Sequence, residues 1–148
     1  MIESGISDDD VLKFGDTSIS YNLYVQNDGT EGSYVFIEFC SPLVGSTPLL
    51  VPSAGLGWDL YNESTVVIED LSYKSYIFYY GSGSVMSEVS AEGGVSSNAF
   101  SSIAVANLSE TQYGNLGDVE FHVYARAVMV TNNNSAVGTA WGEVPQTY

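Results

Sequence analysis

Few groups in this chain could do chemistry. It holds one histidine, His122, and one cysteine, Cys40, with only Lys13, Lys74 and Arg126 set against 18 aspartates and glutamates. His122 and Arg126 share the segment 119–130, where Glu120, His122, Tyr124 and Arg126 occupy alternate positions. A Cys–His or Ser–His pair oriented by a carboxylate is the nucleophilic arrangement these residue types could build. The sequence alone does not place His122 relative to Cys40, however, and no GxSxG turn marks one serine as a nucleophile. Zinc needs three or four ligands converging on one point, more than one histidine and one cysteine supply. HExxH, a P-loop and a Gly-rich dinucleotide turn are all absent, since Gly81-Ser82-Gly83-Ser84 has the wrong spacing. The expectation is a protein that is not an enzyme and carries no cofactor.

Oxygen ligands are more plentiful. Asp8, Asp9, Asp10 and Asp16 place four carboxylates within nine residues, which makes them weak calcium candidates. Their spacing matches no EF-hand loop, and an acidic run is more simply a solvated tail. Carboxylate pairs for glycoside hydrolysis are numerous but unspecific. Two tryptophans and eleven tyrosines could stack on sugar rings. Among them Trp58 is the candidate for ligand stacking, although core anchors are the expected role of both Trp58 and Trp141. Tyr76, Phe78 and Tyr80 alternate as cross-strand packing residues do.

The elements that must position these groups read as strands. Val119, Phe121, Val123, Ala125, Ala127 and Met129 alternate with the polar set above, which predicts a strand with its odd face buried. Ile19, Tyr21, Leu23 and Val25 share one face of a second strand that ends at the turn signal Asn27-Asp28-Gly29. Residues 34–40 are apolar on both faces except at Glu38, as in a central strand. Residues 65–69, 75–80 and 100–108 supply further strands. Residues 41–57 hold three prolines and three glycines and predict a long loop. Residues 135–144 allow one short helix, weakened by Gly138 and Gly142. The fold class is all-β: a single-domain, jelly-roll-like antiparallel β-sandwich over residues 1–148, with one short C-terminal helix and an acidic segment, 1–11, free to be disordered.

Composition bounds the partners. With 45% apolar residues in 148, the chain can bury roughly two thirds of its unfolded surface. A formal net charge of −15 argues against nucleic acid and anionic membranes as partners. No run of about 18 apolar residues exists to span a bilayer. Met1–Gly5 lacks the basic and apolar regions of a signal peptide. Low charged content with abundant Ser, Thr, Asn, Gly and Tyr is the profile of many extracellular β-proteins; of two readings, a cytosolic protein or the mature part of an exported one, the abrupt entry into Ser7-Asp8-Asp9-Asp10 favours the second, and a secreted, cell-surface protein is the expectation. Cys40 has no intrachain partner and is expected to be buried. The sequons at Asn62, Asn107 and Asn133 are few enough to arise by chance in an Asn- and Ser-rich chain.

Several segments in shared order carry a resemblance. Residues 25–39, VQNDGTEGSYVFIEF, followed by Pro42, resemble the "N-x-G-T-x-x-x-Y-V-F" segment of the TasA/camelysin-like proteins secreted by Gram-positive bacteria. Trp58, then residues 76–81 and 96–103, are similar to that family's tryptophan strand, tyrosine-rich strand and "T-x-x-L-F-x-x-V" segment. Residues 119–130 with Ala140-Trp141 resemble its closing strand and "A-W" helix. The resemblance spans residues 12–144 and implies a jelly roll serving as a biofilm-matrix or surface-fibre subunit, some members assembling by strand exchange between copies. It implies self-association or other matrix proteins as partners; a glycan-binding sandwich is the alternative. The chain departs from the family in placing Ser7-Asp8-Asp9-Asp10 almost at its start, so a further N-terminal strand is expected to be missing or short, and in having Met129 where glutamine is common. A proteolytic branch of the family has been described as metal-dependent, and the ligand count above gives that activity no support.

Overall fold

A computed structural model describes residues 2–4, 17–117 and 119–145, the first stretch as backbone. Its elements are β1 (Ile2–Ser4), β2 (Ser18–Ile19), β3 (Leu23–Asn27), β4 (Ser33–Val44), β5 (Thr47–Pro48), β6 (Leu50–Ala54), β7 (Trp58–Ile68), β8 (Leu71–Ser82), β9 (Val85–Met86), β10 (Gly94–Val95), β11 (Phe100–Val105), α1 (Glu110–Gly114), β12 (His122–Met129) and α2 (Val137–Gly142). The back layer runs β12-β4-β8-β7, every neighbour antiparallel, with β5 folded onto β4 and β9 onto β8. In the front layer β2 and β3 lie end to end against residues 94–105. Ile19 faces Ile103, Ala99 N–H donates to the Leu23 carbonyl, Ser96 N–H donates to that of Val25, and Asn27 faces Gly94. β1 flanks β3 on one side and β6 flanks β11 on the other. The all-β sandwich expected from the sequence is what forms.

The main core fills the space between the layers: Val35, Ile37 and Phe39 of β4 and Phe78 of β8 meet Leu23, Val25, Leu50, Phe100 and Ile103. A second core lies on the outer face of the back layer, where α2 lays Val137 and Ala140 over Phe36, Ile77, Tyr79 and Val128. This double cover is why β4 is apolar on both faces, as a strand buried on both sides must be.

Several expectations are corrected. Residues 41–57 are largely strand: β4 continues to Val44 and β6 pairs with β11 through Pro52, which sits opposite Ile103. Proline survives there because β6 is an edge strand, where a missing N–H breaks no ladder bond. Ile2–Ser4 form a short strand on β3, which agrees with the expectation that an N-terminal strand is missing or short, and the rest of the acidic segment 1–11 lies outside the described residues. A second helix, α1, begins at Ser109, whose hydroxyl accepts from Gln112 N–H while the Gln112 side chain accepts from Ser109 N–H. This S-x-x-Q capping box satisfies two otherwise orphaned donors and supports a single helical turn. The β7–β8 turn is made by Glu69 and Asp70 at φ 51° and 67°, a left-handed pair where Asn-Gly is usual.

Candidate functional site

The residues with chemical potential converge on the outer face of the back layer, beyond the end covered by α2. Strand register sets His122 opposite Cys40 and Tyr124 opposite Glu38, and on the other side of β4 it sets Ser75 opposite Cys40. Thus the cysteine and histidine that sequence spacing could not relate are cross-strand neighbours. Arg126 Nη2 donates to Glu38 Oε1 at 2.9 Å, and Ser75 Oγ donates to Glu38 Oε2 at 2.5 Å. Glu38 is only 2% exposed. His122 Nε2 lies 3.2 Å from the Tyr73 hydroxyl and its ring stacks on Tyr124, whose face in turn meets the Arg126 guanidinium.

The electrostatics run against nucleophilic catalysis. Burial, reinforced by the neighbouring Glu38 carboxylate, pushes the Cys40 thiol up to about 12. Such a thiol stays protonated at neutral pH, whereas a reactive cysteine needs its thiolate favoured. Two adjacent grooves at the start of β12, one of ≈290 Å³ along Leu71 and Tyr73 and one of ≈180 Å³ along Ile19, Leu49 and Phe121, share Pro42, Val119 and Glu120, and neither is lined by Cys40 or His122. The arrangement is instead a brace. A buried carboxylate on β4 holds a largely buried guanidinium on β12, so the strand is fixed to the sheet by more than its backbone ladder. Glu38 was visible in the sequence as the lone polar residue of an apolar strand; its partner, 88 positions away, was not.

The remaining candidates fall elsewhere. Trp58 is placed as a core anchor, not as the alternative stacking residue: it is 5% exposed, its indole N–H donates to the Ser97 carbonyl at 3.0 Å, and its ring packs 5.2 Å from that of Tyr80. A sugar ring would have no free face to meet. Trp141 packs edge-on to Phe36 at 5.0 Å. Asp8, Asp9, Asp10 and Asp16 lie outside the described residues. Among the described residues no group of three or more His, Cys, Asp or Glu is placed to hold a metal ion, and no helix is long and apolar enough to cross a membrane.

The feature that sequence reasoning misjudged is the face of β12. Its odd positions do point to the main core, and Phe121 and Val123 pack against it. Past Val123 the cover ends: Ala125 and Ala127 are exposed and Met129 is 57% exposed. On the even face Val128 is buried and the Arg126 side chain is only 9% exposed. The reason is position. Among the described residues β12 is the last strand of the back layer, pairing with β4 alone, and the front layer ends at β1, three residues long against the eight of β12. An apolar stripe built to face a core is left facing solvent. Comparison with known protein families, curated proteins and solved structures gives no match.

Proposed function

We propose that this chain is a secreted, non-enzymatic structural protein whose β12 edge takes up an added strand, so that copies assemble into a matrix or surface fibre. The observation that carries the reading is the uncovered stripe Ala125, Ala127 and Met129 on a regular eight-residue edge strand without bulge, proline or carboxylate. Soluble β-proteins normally protect such an edge with charge, proline or a bulge, because its free N–H and C=O groups are a template for another chain. Strand addition supplies those backbone partners and covers the stripe in one step. The resemblance to TasA/camelysin-like proteins supports the same reading, as does a composition suited to the extracellular space.

Light scattering and negative-stain electron microscopy of the chain across a concentration series test it. Multimers or fibres are expected from the native sequence, and Ala127→Lys, which puts a charge in the stripe, is expected to leave a folded monomer. A native chain that stays monomeric at millimolar concentration contradicts the reading. Glycan binding gains no support at Trp58, whose ring is enclosed.

A further inference from the structure

Resting on the reading that β12 takes up a strand, we propose that the strand it takes up is β7 of a second copy, so that the back layers join edge to edge into one continuous sheet. Strand direction permits this without rearrangement. β12, β4, β8 and β7 alternate in direction, so β12 runs opposite to β7, and a copy displaced sideways presents its β7 antiparallel to the first copy's β12. Residue rows agree with the match. One row across the layer reads Ala125, Ile37, Phe78, Leu60, and the next reads Arg126, Phe36, Tyr79, Asp59. In the unshifted register the incoming Leu60, 40% exposed, comes opposite the exposed Ala125.

Charge selects the same partner. β12 carries His122 and Arg126 and no carboxylate, whereas β7 carries Asp59 and Glu63 and no base. In a chain of net charge −15, a strand free of carboxylate is the surface on which a second copy meets least repulsion. Pairing β12 with β12 would instead set like side chains against like and close into a dimer. The β12–β7 contact joins two different patches and does not close, so it propagates.

The experiment uses the full chain with exposed positions changed to cysteine: Ala125→Cys, Leu60→Cys, and both together, each checked for native melting and then oxidised or treated with a short bis-maleimide that tolerates a two-residue register slip. Cys40, fully buried, is left in place. The expected result is a ladder of covalent multimers from the double variant, with neither single variant linking. A covalent dimer from Ala125→Cys alone means β12 pairs with β12 and overturns the proposal. Native multimers with no cross-link in the double variant overturn β7 as the added strand while leaving strand addition at β12 standing. A native chain that never multimerises overturns both.

Discussion

The two edges of the back layer are built on opposite principles. At the β7 edge the chain itself crosses between the layers. Gly55 donates its N–H to the Ala99 carbonyl, at an approach so close that a side-chain Cβ would sit 2.0 Å from the Asn98 oxygen. Trp58 then plugs the core directly behind the crossing. β7 also carries an irregularity between Leu60 and Asn62 and the acids Asp59 and Glu63, which discourage pairing of β7 with a like acidic edge and leave the carboxylate-free β12 as its match. At the β12 edge, among the described residues, there is no crossing, bulge or acid, and three core-facing positions stand in solvent. What that edge has is a buried brace, Glu38 with Arg126 and Ser75. Stability at one edge comes from apolar closure, and at the other from a polar anchor that leaves the strand rigid and open.

The largest effects should come from removing each device. Arg126→Ala takes the guanidinium away from the buried Glu38 carboxylate, and a loss of about 3–5 kcal/mol is expected in urea unfolding. Replacing both partners by apolar residues, Glu38→Leu with Arg126→Met, should restore most of it, because the cost lies in the orphaned charge. Trp58→Ala should cost about 3–5 kcal/mol through the cavity it leaves, and it also removes the donor to the Ser97 carbonyl. By contrast Lys74→Ala, which breaks the 3.6 Å pair with the half-exposed Glu63 at the β7 edge, should cost about 0–1 kcal/mol. If Lys74→Ala and Arg126→Ala cost the same, the contrast between the edges is wrong.

A smaller effect is expected in alkali. The folded pKa of Cys40 lies above the ordinary thiol value, so the folded state holds its proton more tightly than the unfolded chain. Its contribution is complete below about pH 9 and is lost as pH rises toward 12. Tyr76, raised chiefly by burial and then by Glu63, and Tyr124, raised chiefly by burial and then by Cys40 and Glu38, act in the same direction. Unfolding midpoints should therefore fall above about pH 9, and a thiol reagent at pH 8 should label Cys40 only after denaturant is added. Labelling of the native fold within minutes contradicts the buried placement. The smallest effect is that of salt: self-association should strengthen between 0.1 and 1 M NaCl, as the Debye length falls from about 10 Å to about 3 Å and repulsion between acidic copies is screened.

How much of this was legible in the sequence follows from the range of each interaction. Period-two patterning marked the strands around Leu23 and Tyr124, and runs of apolar, β-branched and aromatic residues marked those around Phe36, Phe78 and Ile103, because both signals are local. The capping box at Ser109–Gln112 was also local and could have announced α1. Glu69-Asp70 could not announce its turn, since neither residue favours the left-handed region on its own. The strand through Pro52 was hidden because whether proline breaks a ladder depends on which side faces the neighbour. The face of β12 was misjudged for the same reason: alternation shows that Ala125, Ala127 and Met129 point one way, but whether a second layer lies over them is set by where that layer ends. Pairing Glu38 with Arg126 required knowing that residues 88 positions apart are strand neighbours.

The central claim is that β12 is the edge through which copies join, and hydrogen–deuterium exchange on assembled and monomeric chain tests it most directly. The expected result is strong added protection of backbone amides in His122–Met129 on assembly, larger than at any strand interior to either layer. Multimers in which those amides exchange as fast as in the monomer would contradict it.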